Sequence, residues 1–209
     1  MQSNTIGIVG AGKLGITLAQ LARKAGYEVY ISGSRKPSKI ELSVQVLAPG
    51  AHAVTTSEVA RVSDIVILAI PLGKFHTLNP SDFMGKLVVD AMNYWWEVDG
   101  PRSDSVAEDT TSSEAVQSHL PQARIVKALN HMGYHDLNDE TRPADTPERK
   151  AIAVAGDDQA DIDTVSRLIN TLGFDALTIG ALSNGALLEP GHPAFGANVT
   201  LHELARLTF

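Results

Sequence analysis

Six residues near the N-terminus constrain the chain more than any other feature: Gly10-Ala11-Gly12-Lys13-Leu14-Gly15, a G-x-G-x-x-G pattern lying between two kinds of periodicity. Thr5 to Val9, before it, is a short β-rich run. After it, Leu14, Leu18, Leu21 and Ala25 recur at helical spacing. The helix should close at Gly26, which accepts a left-handed cap, with Arg23 and Lys24 complementing the dipole of its last turn. Tyr27 to Ser32 reads as a second strand, so the segment is a βαβ unit with a right-handed crossover. In that setting each glycine has a task. Gly10 permits the tight turn, Gly12 lets the backbone approach a pyrophosphate at the helix N-terminus, and Gly15 allows the helix to pack closely on the strand. A ligand-free glycine turn is the bland reading; strand and helix on the correct sides favour a dinucleotide.

The alternation continues almost to Phe209. Further strands are expected at Ala51 to Thr55, Ile65 to Ala69, Leu87 to Ala91, Arg124 to Leu129, Ala151 to Gly156 and Ala176 to Ile179, for about eight in all. Helices are expected near Ser57, near Glu114 to His119, and from Asp157-Asp158 through Ile162, Val165, Ile169 and Leu172 to Gly173, which makes a second βαβ. Near-continuous apolar strands such as Ile65-Val66-Ile67-Leu68-Ala69 suit a mostly parallel sheet covered on both faces. Asp99 to Ser113 and Arg142 to Lys150 read as loops, not linkers, because the same alternation resumes after each. The expected architecture is a single doubly wound α/β domain of the Rossmann type over residues 1–209. Residues 1–128 would form the dinucleotide-binding core and 129–209 an α/β extension on the acceptor side, with no separate helical substrate domain.

Cofactor choice falls at the end of the second strand, where NAD binders place a carboxylate for the ribose 2′-hydroxyl. Here the chain reads Ile31-Ser32-Gly33-Ser34-Arg35-Lys36, with a hydroxyl and two cations and no acid. That favours a 2′-phosphate, Arg35 through a planar charge-assisted contact and Lys36 as a point charge, and hence NADP. The alternative is that Arg35, Lys36 and Lys39 are a solvated loop face. Overall charge points the same way. Of 17 Lys and Arg against 24 Asp and Glu, six bases precede position 41 with Glu28 as their one acidic counterpart, so the remainder is strongly acidic. A basic front on an acidic chain fits a local anion site and argues against a nucleic-acid partner. With no cysteine, disulfides, thiolate metal sites and Cys nucleophiles are excluded. The longest apolar run, Ile65 to Ile70, is too short to span a bilayer, and Met1-Gln2-Ser3-Asn4 lacks signal-peptide features, so a cytoplasmic location without membrane attachment is expected.

Several blocks resemble the F420-dependent NADP oxidoreductases and the related nucleotide-binding domains of the STEAP metalloreductases. They are Ile8-Val9-Gly10-Ala11-Gly12-Lys13-Leu14-Gly15, Gly33-Ser34-Arg35, Ala69-Ile70-Pro71, Val126-Lys127-Ala128-Leu129-Asn130 and Leu182-Ser183-Asn184. The resemblance implies that Ser34 and Arg35 hold the 2′-phosphate, that Ala69-Ile70-Pro71 lies along the dinucleotide, and that Ala91-Met92-Asn93 approaches the nicotinamide. It also puts Asn130, His131, Met132, Ser183 and Asn184 on the acceptor side, with Glu189 nearby, and makes a homodimer an expectation. The chain differs from those enzymes at Asn93-Tyr94-Trp95-Trp96 and at Asn130-His131-Met132-Gly133-Tyr134-His135-Asp136.

Without a substrate domain, an acceptor must sit in the crevice at the carboxyl ends of the strands. A planar flavin or deazaflavin (F420) suits such a shelf, since positioning can suffice for it, whereas a carbonyl needs a proton donor. His131 and Tyr134 are the candidate donors, with His135 and Tyr94 behind them; the histidines could equally bond backbone and order a loop. Gly133 between His131 and His135 argues for a loop there, and with no H-E-x-x-H pattern no metal site is expected. Trp95 and Trp96, adjacent on an extended segment, point to opposite sides; burial statistics favour core packing for both over one lining a pocket. The functional expectation is a hydride-transferring oxidoreductase of NADP(H) with a small-molecule flavin-like or F420 acceptor. Reduction of a small carbonyl or imine, or a non-catalytic NADP-binding sensor, are the alternatives.

Overall fold

The computed structural model describes residues 5–209; the signal-peptide reading of residues 1–4 lies outside them. Eight strands form the sheet: β1 (Thr5–Val9), β2 (Glu28–Ser32), β3 (His52–Ala53), β4 (Ile65–Leu68), β5 (Leu87–Asp90), β6 (Arg124–Lys127), β7 (Ala151–Gly156) and β8 (Asp175–Thr178). The helices are α1 (Lys13–Lys24), α2 (Glu41–Leu47), α3 (Thr56–Val62), α4 (Trp96–Asp99), α5 (Ser112–His119), α6 (Tyr134–Asp139), α7 (Gln159–Leu172) and α8 (Leu201–Thr208). Strand order is β3-β2-β1-β4-β5-β6-β7-β8. All neighbours are parallel except β6 and β7, which pair antiparallel through Val126 with Gly156 and Lys127 with Ala155. This is the expected doubly wound α/β architecture of the Rossmann type.

Sequence accounts for most of the elements. The apolar strands β4 and β5 are buried at every position. On one face Leu18, Leu21 and Ala22 of α1 join Ile162, Val165 and Ile169 of α7 in a core with alternate residues of β1, β4 and β5. On the other face α3 and α5 close over Val66, Leu68 and Val88 together with Phe75 and Phe83. A third cluster joins β7 to Leu188 and to Leu204 of α8. Helix α5 starts at Ser112, two residues before the expected stretch, because Thr111 and Glu114 form a capping box.

Four helices depart from the sequence reading, α4 among them, since Trp96 opens a helical turn where an extended segment is expected. Helix α6 follows Gly133, which is the N-cap in extended geometry (φ −62°, ψ 146°), so the glycine that suggested a loop begins a helix instead. Helix α8 carries a Thr200–Glu203 capping box. Helix α2 buries only Val44, which leaves almost no apolar periodicity to read. The β7–α7–β8 unit is fastened by Arg149, whose guanidinium pairs with Asp175 at 2.8 Å and donates to the Asn170 carbonyl at 2.6 Å.

Candidate functional site

Strand order reverses between β1 and β4, and open α/β sheets form their ligand crevice at such a point. Gly10 leaves β1 at φ 121°, a conformation costly for any residue with a Cβ, and its N–H donates to the Ser32 carbonyl at 2.8 Å. A Cβ on Gly15 would collide with the Gly10 carbonyl oxygen, so α1 packs on β1 only because position 15 is glycine. Gly12 is different: a Cβ there would meet nothing within 4 Å. It faces open space at the N-terminus of a 12-residue helix that no side chain caps. The first-turn N–H groups therefore remain available for an anion, and this cradle fits the pyrophosphate of a dinucleotide.

Two of the clefts that border the glycine turn hold residues expected at the cofactor. One, about 710 Å³, is lined by Gly10, Gly33, Ser34, Thr56, Ser57, Ile70 and Pro71 among others. Ser34 thus opens into it, and the next two side chains, Arg35 and Lys36, are exposed with no hydrogen bond or ion pair among the described residues. Asp82, a carboxylate that also lines this cleft, accepts a 2.6 Å hydrogen bond from Ser57 Oγ. The second cleft, about 250 Å³, brings Gly12, Lys13 and Leu14 together with Ala69, Ile70, Pro71, Ala91, Met92 and Asn93, and adds Trp95 and Val98. Three sequence-distant blocks expected at the cofactor therefore converge on one groove.

A buried network fixes the Ala91–Asn93 loop that lines the second cleft. Asp90 and Lys127 are both fully buried and form an ion pair at 3.2 Å. Lys127 Nζ also donates to the Met92 carbonyl at 2.7 Å, and the Met92 N–H donates to Asp90 Oδ1 at 2.9 Å. Ser113 Oγ donates to Asp90 Oδ2 at 2.7 Å. Next to it, Asn93 Nδ2 donates to the Asn130 carbonyl at 2.7 Å, while Asn130 Nδ2 donates to Asn93 Oδ1 at 3.0 Å and to the Leu188 carbonyl at 2.8 Å. Leu129, just before Asn130, sits at φ 63°; this strain for a non-glycine residue is held by complete burial of its side chain. The sequence reading missed this network. Its signal was present in two opposite charges, each ending an otherwise apolar strand, Leu87-Val88-Val89-Asp90 and Ile125-Val126-Lys127.

Of the residues expected on the acceptor side, Asn130 is bonded to the cleft residue Asn93, and the others line neither cleft. His131 is 1% exposed; its Nε2 accepts the Ala153 N–H at 3.0 Å and its carbonyl accepts the Gly196 N–H at 2.7 Å, so it orders backbone. Burial lowers its pKa from 6.5 to about 4, with the Ala194 carbonyl opposing the shift. Met132 is buried in the core. Ser183 and Asn184 are exposed on a 3₁₀ turn, Leu182–Leu188, and line neither cleft; Asn184 Nδ2 donates to the Ile179 carbonyl. Tyr134 borders a separate depression with Ala11, Gly12 and Lys13, where Lys13 Nζ stands 5.4 Å from its ring centroid. Tyr94 is tied by its hydroxyl to the Gly100 carbonyl at 2.8 Å, and His135 is exposed. Core packing of the tryptophans is corrected: Trp95 is 49% and Trp96 62% exposed, because α4 is a single turn on the rim. Among the described residues, no three His, Cys, Asp or Glu side chains gather as a metal site, and no helix is long and apolar enough to cross a membrane.

Comparison with known proteins agrees with this geometry. The chain is 25% identical over 187 residues to metalloreductase STEAP3 of Rattus norvegicus, covering 88% of this chain but only 35% of that protein. Among solved structures, a hypothetical protein of Sinorhizobium meliloti superposes with a TM-score of 0.82 at 27% identity, over 94% of this chain and 95% of the other. A structure described as a candidate F420-dependent NADP-reductase of Arthrobacter sp. FB24 shares the fold, with a TM-score of 0.71 at 24% identity over 87% and 86% of the two chains. Residues 5–94 match the family described as NADP oxidoreductase, coenzyme F420-dependent. That stretch holds the glycine turn and Ser34-Arg35-Lys36 and supplies most of the lining of both clefts, so the match to this family rests on the part of the chain that builds the candidate site.

Proposed function

We propose that the protein transfers a hydride between NADP(H) and a flavin-like or deazaflavin (F420) acceptor. The observation that carries this reading is the composition of the nicotinamide-end cleft. It is lined by backbone, aliphatic and aromatic groups and Asn93, with no carboxylate, imidazole or phenol, and Lys13 as its one ionisable side chain. Such a lining positions a ring without supplying a conventional acid or base, which is what a hydride acceptor with delocalised charge requires. The first turn of α1 would hold the pyrophosphate, Ser34, Arg35 and Lys36 the 2′-phosphate, and Ile70 and Pro71 the length of the dinucleotide. Met92 and Asn93, held by the Asp90–Lys127 network, would flank the nicotinamide. Bound there, the cofactor supplies or takes the hydride.

A second reading, reduction of a small carbonyl or imine, is favoured by one observation: Lys13, a hydrogen-bond donor, lines the same cleft. It predicts turnover with a small carbonyl or imine that is lost in Lys13→Met. In both readings the partner is a small molecule and not a nucleic acid, in the cytoplasm. A homodimer rests on the family resemblance and is tested by light scattering.

The deciding experiment is an NADPH oxidation screen over F420, FMN, FAD, quinones, ferric chelates and small carbonyls. Turnover with F420 or a flavin, preferring NADPH over NADH, supports the first reading. A screen negative throughout, with NADPH still binding, would identify a non-catalytic NADP sensor.

A further inference from the structure

We infer that Trp95 and Phe195 together form the seat for the acceptor's planar ring and so select aromatic acceptors over small carbonyls; the inference rests on the hydride-transfer reading above. Trp95 projects from the rim of the nicotinamide-end cleft and keeps about half of its surface exposed. A large exposed apolar side chain is ordinarily loosely held, but this one is anchored. Asp99 accepts the Trp95 N–H through Oδ2 at 2.8 Å and the Gly73 N–H through Oδ1 at 2.9 Å. One carboxylate thereby ties the tryptophan segment to the turn that follows Ile70-Pro71 along the dinucleotide groove. The backbone bearing the indole is fixed relative to the cofactor, with ring surface left for a ligand.

Phe195 comes from the other half of the chain. Its ring lies 5.7 Å from that of Trp95 at 63°, an edge-to-face contact, and it is itself only partly buried. The extension beyond residue 128 therefore meets the rim of the cleft through an aromatic ring in contact with Trp95, while the polar residues expected there, His131, Ser183 and Asn184, are buried or turned elsewhere. Edge-to-face pairs leave ring faces for offset stacking, and the cleft lining supplies no polar group that would compensate a desolvated carbonyl oxygen beyond Lys13 and Asn93. A conjugated, flat, weakly charged ring matches this seat better than a small polar substrate. A subunit contact on the same patch is the competing occupant.

The chain has two tryptophans, so Trp96→Phe leaves Trp95 as the sole indole reporter. The NADP⁺-loaded variant is titrated with oxidised F420 and, separately, FMN. The expected result is saturable quenching of Trp95 emission by at least one ring. In steady-state assays Trp95→Ala should raise the acceptor KM about tenfold, the loss of roughly one aromatic contact, with the NADPH KM changed less than about twofold, and Trp95→Phe should restore most of the loss. Melting temperatures should be unchanged, since the rings removed are not core. Turnover in the native protein with an unaltered acceptor KM in Trp95→Ala would overturn the seat and leave the hydride-transfer reading standing. Trp95 emission indifferent to both rings but dependent on protein concentration would assign the patch to a subunit contact. Failure of any ring to bind or turn over while NADP⁺ still binds would overturn both.

Discussion

Replacing Lys127 with methionine removes one charge from a pair that water does not reach. Both side chains are fully buried, and Asp90 would keep Ser113 Oγ and the Met92 N–H but lose the cation paired with it. Breaking a buried pair from one side costs about 3–5 kcal/mol, because an uncompensated carboxylate stays behind. Against a stability of about 5–15 kcal/mol for a domain, and about 2–4 °C per kcal/mol at this length, the melting temperature should fall by roughly 10 °C. Lys127→Met with Asp90→Asn removes both charges and keeps an oxygen for the Met92 N–H. That double variant should recover most of the loss, with a coupling of about 2 kcal/mol or more in a double-mutant cycle from urea denaturation. The single variant also frees the Met92 carbonyl, loosening the loop proposed to flank the nicotinamide, while Ser34, Arg35 and Lys36 are untouched. Turnover should thus fall further than NADPH affinity. A single-variant cost under about 1 kcal/mol, or strict additivity in the cycle, would refute the claim that this pair is held together by burial and mutual charge.

Arg35→Ala should remove one charge-assisted contact, lowering NADPH affinity by roughly tenfold to a hundredfold and leaving NADH affinity unchanged; titration of nicotinamide fluorescence measures both. Gly12→Ala and Gly15→Ala form a matched pair. The first has room for its Cβ and should melt normally while cofactor affinity drops at least about tenfold, whereas the second meets the Gly10 carbonyl and should lose about 1–3 kcal/mol of stability by calorimetry. His131 has a folded pKa of about 4 against 6.5 unfolded, so the unfolded chain takes up the proton first. Its contribution is complete above about pH 6.5 and disappears as pH falls toward 4, a total of about 3 kcal/mol, and His131→Gln should flatten that part of the urea midpoint against pH.

Strands were the most legible part of the fold. Buried on both faces, β4 and β5 show as unbroken apolar runs, and α1 and α7 carry broad apolar stripes between recognisable ends. Helix α2 was invisible because one buried residue makes no stripe, and α6 because a glycine can start a helix as readily as it can interrupt one. Helix α8 did have a readable signal, Thr200 three residues before Glu203, which was overlooked. At the site, residues 10–15, 69–71 and 91–93 were legible because every parallel strand delivers its carboxyl end to the same edge. Residues beyond Asn130 were not. Whether a side chain there turns inward depends on β7 running back against β6, and the hydrogen bond from Ala153 that captures His131 has no trace in local sequence.

That reversed strand has a practical use. Because β7 runs against the sheet, its Gly156 end and the Asp157 turn emerge beside the start of β6, at the edge opposite the glycine turn, where Asp161 meets Arg124 at 3.4 Å. The connection after β8 returns at that same edge, with the Gly156 N–H on the Gly180 carbonyl and the Leu182 N–H on Asp157. For protein engineering the two ends of the sheet are separable. A fluorescent reporter, affinity handle or tether inserted at exposed Ala181, which lines neither cleft, would leave the lining of both clefts in place.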